Sequence, residues 1–87
     1  MSGYRIELRP AAARALRKLD PSDARRIQGA IALLARDPRP PAARQLQGRA
    51  GLRVRVGDYR IIYMIDSKEK IIKIVLIAHR KDVYRDF

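Results

Sequence analysis

The sequence predicts a small α+β fold in which a helical hairpin covers one face of a mostly antiparallel four-stranded sheet, in the order β-α-α-β-β-β with a short C-terminal segment. Three observations predict it. Residues 52–63 alternate with period two about Gly57 and Asp58. Residues 10–34 repeat apolar positions at spacings of three and four. Residues 71–78 are apolar everywhere except Lys73.

Taken in order, residues 4–8 set Tyr4, Ile6 and Leu8 against Arg5 and Glu7, a short strand. Pro10 can open a helix, since its missing N–H would be unpaired there in any case. Ala11, Ala12, Ala15, Leu16 and Leu19 line one face of that helix, with Arg14, Arg17 and Lys18 toward the flank. Asp20 then caps a second helix, with Pro21 in its first position and Asp23 in its first turn. Ile27, Ala30, Ile31 and Leu34 form its stripe until Asp37 and Pro38 stop it. Residues 37–41 are a connector and residues 48–51 a loop. Residues 66–70 are polar and turn-like, and the apolar strand 71–78 belongs in the middle of its sheet or beneath another element.

The hairpin at residues 52–63 says most about function. Gly at the first turn position suits a type II′ turn, which needs positive φ there. Val56 then pairs with Tyr59, Arg55 with Arg60, Val54 with Ile61 and Arg53 with Ile62. Leu52, Val54, Val56, Tyr59, Ile61 and Tyr63 fall on the helix-facing side, and Arg53, Arg55 and Arg60 on the other. Like charges placed opposite each other cost a sheet about 0.2–1 kcal/mol. A chain that only had to fold has no reason to gather three guanidinium groups there, and a polyanion is the expected guest.

Composition points the same way. The 87 residues carry 20 Lys plus Arg against 9 Asp plus Glu, a net charge of +11. Fifteen of the 20 are Arg, whose rigid fork suits phosphate and whose plane stacks on bases. No Cys and a single His argue against disulfides, a thiolate site or any metal centre, and no cofactor is expected. No apolar run approaches about 18 residues and no apolar N-terminal segment is present, so one domain over residues 1–87, in the cytoplasm and away from membranes, is the expectation.

Pro10, residues 16–20, Asp37-Pro-Arg, Leu46 with Gly48, the Arg-x-Arg-x-Gly-Asp-Tyr-Arg hairpin followed by Ile-Ile-Tyr, and the ending His-Arg-Lys-Asp-Val-Tyr together resemble the RelE/ParE superfamily of toxins. The resemblance covers nearly the whole chain. It implies a small cytoplasmic toxin of a type II toxin–antitoxin pair, held inactive by a cognate acidic antitoxin that folds on its surface. RelE-like members enter the ribosomal A site and cleave mRNA, without a metal. ParE-like members poison DNA gyrase and lack the nuclease residues. Carried over by position, the strand residues are Arg53, Arg55 and Arg60, the strand-end arginine is Arg80 and the terminal aromatic is Tyr84. Known RelE-like nucleases have Lys at one or both positions matching Arg53 and Arg55, so this chain has no lysine there to act as a base.

The implied reaction is attack of an RNA 2′-OH on the adjacent phosphodiester. Arginine stays protonated, so Arg55, Arg60 and Arg80 suit charge stabilisation, with Arg60 and Arg80 clamping the scissile phosphate. Tyr84 would stack on the nucleotide or meet the 2′-OH, and Arg53, His79, Lys81 and Arg85 would grip RNA around the site. His79, the one side chain ordinarily suited to proton transfer near neutrality, shares a side with Val75 and Ile77 if the strand runs through it. Tyr59 and Tyr63 are expected in the core and Asp58 in the turn, while Asp82 and Asp86 are too close to arginines to be bases. Strand 71–78 and the basic helices are the expected landing places for the antitoxin. A plain RNA-binding module is the third reading.

Overall fold

The computed structural model describes residues 3–81. Strand β1 (Arg5–Leu8) leads into helices α1 (Pro10–Lys18) and α2 (Pro21–Arg36), followed by strands β2 (Arg44–Gln45), β3 (Leu52–Val56), β4 (Tyr59–Asp66) and β5 (Ile71–His79). Proline opens both helices. Asp20 caps α2 by accepting the Asp23 N–H at 3.0 Å. That bond, and after it one from the Ser22 hydroxyl, holds the Asp20 carboxyl below its ordinary range. At the other end, Asp37 leaves the helical region with φ −141° and ψ 91°, as the residue before a proline tends to do.

The sheet has five strands in the order β1-β5-β4-β3-β2, one more than expected. The addition is β2, which pairs Arg44 with Arg53 and Gln45 with Leu52 at one edge. Two residues cannot show an alternation, which is why the sequence hides this strand. The sheet is also mixed: β1 runs parallel to β5 while the remaining pairs are antiparallel. The first strand enters beside the last, and the two helices lie in the crossover between them. The expected short C-terminal segment, with Tyr84 and Arg85, lies outside the described residues.

The hairpin register is the expected one, with Val56 opposite Tyr59, Arg55 opposite Arg60, Val54 opposite Ile61 and Arg53 opposite Ile62. Gly57 has φ 60°, whereas Asp58 is not among the positive-φ residues; this combination marks a type II′ turn. Between β4 and β5 the register slips by one residue, so that Ile62 faces Leu76 but Tyr63 faces Ile74. Val75 is the extra residue of a bulge. The strict alternation that groups Val75 with Ile77 and His79 therefore fails, and Ile72, Ile74 and Ile77 supply the core instead.

That core packs Ala12, Ile27, Ile31 and Leu34 of the helices against Val54, Ile61, Tyr63, Ile72, Ile74 and Ile77 of the sheet. Each isoleucine removed from water contributes roughly 1.5–3 kcal/mol. Tyr63 is fully buried, and its hydroxyl donates to the Pro38 carbonyl at 2.7 Å, tying β4 to the Pro-rich connector. Burial pushes the Tyr63 phenol up to about 12. Its ordinary value is about 10, so the stability it contributes is complete below about pH 10 and is lost as pH rises from there toward about 12. Thermal unfolding between about pH 9 and 11 should show this alkaline loss. Tyr63→Phe should remove that part of it and cost about 1 kcal/mol at neutral pH through the unpaired Pro38 carbonyl. An undiminished alkaline loss in Tyr63→Phe would contradict the assignment.

Candidate functional site

The face of the sheet turned away from α1 and α2 is assembled by pairing alone. Residues opposite each other on neighbouring strands share a side. Arg55 therefore stands beside Arg60, and Arg44 beside Arg53. The two rows are separated by two residues along β3, roughly 7 Å. With Ala42, the four arginines line a shallow depression of about 480 Å³, and no carboxylate among the described residues lines it. Ile62 and Leu76 continue the row of Arg44 and Arg53 across β4 and β5. Ile62 is only 2% exposed, so this face is not simply open: it has an apolar centre beside the cations. Arg53 and Arg60 are half-buried and Arg55 is exposed, as expected of side chains whose stems follow apolar surface while their heads stay in water.

Backbone carbonyls orient two of these groups. Arg44 Nη1 donates to the carbonyls of Pro41 at 2.6 Å and Ala43 at 2.9 Å. Arg60 Nη1 donates to the Tyr59 carbonyl at 3.2 Å. A carbonyl brings no negative charge of its own to a guanidinium, so these bonds orient the Arg44 and Arg60 side chains. The sequence reading missed Arg44, because its place follows from β2. The clue was present: Gln45 and Arg44 mirror Leu52 and Arg53 about the loop that Leu46 closes by donating to the Gly51 carbonyl at 3.0 Å.

Arg80 does not line the depression. Its N–H donates to the Asp58 carbonyl at 2.7 Å, extending the β4–β5 ladder by one pair past His79. That pairing sets it at the turn, on the side of Ala78 and Arg60. Its Nε lies 4.0 Å from Asp58 Oδ1, with both side chains more than half exposed. An exposed pair of this kind is worth about 0–1 kcal/mol, little enough to yield to a phosphate. Lys81 is exposed beyond it.

His79 does not join the arginines. It sits on the helix side, edge-on to Tyr59 with ring centroids 5.5 Å apart, and its Nδ1 accepts the Lys81 N–H at 3.2 Å. Desolvation by burial raises the Tyr59 phenol, and Asp23, Asp20 and Asp58 add to the shift. Tyr63 is buried and Tyr59 half-buried against the core, both on the helix side as the alternation expects. Among the described residues no cluster of His, Cys, Asp or Glu could hold a metal ion, and no helix is long and apolar enough to cross a membrane. The depression can therefore grip and stabilise negative charge, but among its described residues none can take a proton near neutrality.

Comparison with known proteins follows the same lines. Residues 6–84 match the family model described as the ParE toxin of the type II toxin–antitoxin system parDE. Toxin RelG of Mycobacterium tuberculosis is 34% identical over 86 residues, covering 94% of this chain and 97% of its own. The structure resembles the archaeal RelE–RelB complex of Pyrococcus horikoshii OT3 with a TM-score of 0.77 at 30% identity, over 92% of this chain and 97% of that one. It resembles the toxin–antitoxin complex RelBE2 of M. tuberculosis with a TM-score of 0.76 at 30% identity, over 90% and 99% of the two chains.

An arginine depression with no carboxylate among its described residues makes a quantitative prediction for polyanion binding. The logarithm of the binding constant for a short single-stranded oligonucleotide should fall against the logarithm of salt concentration with a slope of about −3, at about −0.7 for each phosphate engaged by four arginines. Arg55→Ala should reduce the slope by about 0.7. Fluorescence anisotropy reads both, and an unchanged slope would remove Arg55 from the contact.

Proposed function

The chain belongs to the RelE/ParE superfamily of type II toxin–antitoxin toxins, and on that footing we propose that it is a ribosome-dependent mRNA endoribonuclease restrained by a cognate acidic antitoxin. The observation that carries the nuclease reading is the convergence of Arg44, Arg53, Arg55 and Arg60 in one depression, with Arg80 at its turn-side end. In this reading Arg60 and Arg80 clamp the scissile phosphate and Arg55 assists. Arg53, Arg44 and Lys81 hold the flanking backbone. Tyr84 and Arg85 are assigned to the nucleotide on the strength of the resemblance. His79 is left out, because it faces α1 across the sheet.

The 2′-oxygen bonds to phosphorus and gives up its proton as the P–O5′ bond breaks, and the departing 5′-oxygen takes up a proton, leaving a cyclic phosphate and a 5′-OH. Charge building on the non-bridging oxygens meets three fixed cations, and stabilisation of this kind is often what lowers such a barrier most. Proton transfer is the weak part of the site. If the ribosome aligns the 2′-oxygen with the phosphate, orientation alone supplies several kcal/mol, and a strong base becomes less necessary. In this reading cleavage takes place in the cytoplasm, on translating ribosomes.

One observation favours a second reading. The depression lacks a proton acceptor among its described residues, and the matching family model is that of a ParE toxin. A gyrase-directed poison would need the fold and the charge but no acid–base chemistry. Mapping mRNA ends in a translation extract, beside a gyrase supercoiling assay, separates the two. Ribosome-bound mRNA should be cut and free RNA scarcely cut. Arg60→Ala and Arg80→Ala should each lower cleavage by at least about a hundredfold, the scale lost with one transition-state donor, while antitoxin binding persists. Intact mRNA together with inhibited supercoiling would establish the ParE-like alternative.

A further inference from the structure

A smaller cavity, of about 290 Å³, lies at the end of β3 away from the turn, lined by Arg39 of the connector, Gln45 of β2, and Gly51, Leu52 and Met64. Two of its walls are pinned by hydrogen bonds. The Tyr63 hydroxyl holds the connector by donating to the Pro38 carbonyl at 2.7 Å. Burial raises the Tyr63 phenol and the Arg39 charge opposes that rise, so the Arg39 guanidinium stands near this fixed point. On the other wall, the Leu46 N–H donates to the Gly51 carbonyl at 3.0 Å and closes the loop between β2 and β3. Gly51 has φ 116°, and a Cβ there would lie 3.2 Å from the Tyr63 carbonyl oxygen and 3.3 Å from Leu46 Cδ1. The loop thus rests directly on β4, and glycine is what allows it.

Met64 is 42% exposed, one of three large apolar side chains left so among the described residues. It follows Ile62 by two residues on β4 and therefore shares its side of the sheet, one row beyond Arg44 and Arg53. The cavity thus begins roughly 7 Å along the sheet from the nearer arginines, two residues of strand rise. Its lining suits a flat ring with a polar edge. Met64 and Leu52 are apolar, the Gln45 amide both donates and accepts, and Arg39 donates in a planar fork. No carboxylate among the described residues lines it. A purine accepts at N7 beside O6 or N6, the edge that a guanidinium or an amide meets with two bonds. A pyrimidine has no such pair of groups.

We propose that this cavity is a base subsite, which takes one purine of a single-stranded RNA whose phosphates lie on the arginine depression. The Met64 thioether packs on the ring, a sulfur–aromatic contact, and Gln45 and Arg39 meet its N7 edge. The subsite rests on the reading of the depression as an RNA-binding surface. It supplies what the arginines lack, since contacts to phosphate carry no sequence information. Two rows of the sheet, about 14 Å, separate Met64 from Arg60. The selected purine is therefore a nucleotide flanking the phosphate that Arg60 holds and not one joined by it.

The test uses the full-length protein and short 2′-O-methyl oligonucleotides of equal length, which cannot undergo 2′-OH attack: one of purines, one of pyrimidines and one abasic. The chain has two methionines, Met1 and Met64, so the Met64 methyl resonance is simple to follow. The purine chain should move it by ring current and the abasic chain should not, while both move the Arg53 Nε–Hε resonance. Gln45→Ala, at an exposed position, should lower the purine-over-pyrimidine affinity ratio by about fivefold or more, the scale of one two-bond base contact, and leave abasic affinity within about twofold. Gln45 carries no charge, so the salt slope should not change. A Met64 methyl that stays still while Arg53 responds, or that responds equally to the abasic chain, overturns the subsite. So does a purine preference that is absent in the unsubstituted protein or that survives in Gln45→Ala. If Arg53 responds to none of the three chains, the RNA-binding reading itself falls and takes the subsite with it.

Discussion

The turn at Gly57 and Asp58 is the constraint on which the rest of the molecule depends. Through period-two alternation it decides, for every residue from 52 to 63, whether a side chain meets the helices or the opposite face. A slip of one residue would send Val54, Ile61 and Tyr63 into water and push guanidinium groups against Ile27, Ile31 and Leu34. Burying one unpaired charge costs far more than any gain the slipped pairing offers. The arginine site is thus held by the same apolar packing that holds the fold. It needs no separate scaffold, and the repulsion between Arg55 and Arg60 is small against that packing.

Much of this was legible in the residues, for identifiable reasons. Asp20, Pro21, Asp37 and Pro38 mark the ends of α2 by mechanisms that act within a few residues. The hairpin register followed from a single glycine and strict alternation. What stayed hidden depends on pairing over longer distances. Strand β2 is too short to carry a period, so Arg44 could not be placed beside Arg53. The bulge at Val75 leaves no trace in a run that is apolar on both sides. The parallel neighbour of β5 is settled by where the helices return the chain. Arg80 was seen as a strand-end cation, but its attachment to Asp58 depends on how the last pair of the ladder closes.

The chemistry of the site is lopsided. Arginines in a shallow depression bind and stabilise anions well at any physiological pH, and they are poor at moving protons. Such a site is effective when geometry is supplied from outside.

The central claim is that Arg44, Arg53, Arg55 and Arg60 act together as one anion-binding surface. It is tested most directly by following arginine side-chain Nε–Hε resonances while a short single-stranded RNA is titrated into the full-length protein. Those four should shift together along one binding curve, with Arg14, Arg17, Arg25 and Arg36 of the helices nearly still. Shifts spread evenly over all arginines, or confined to the helices, would contradict it.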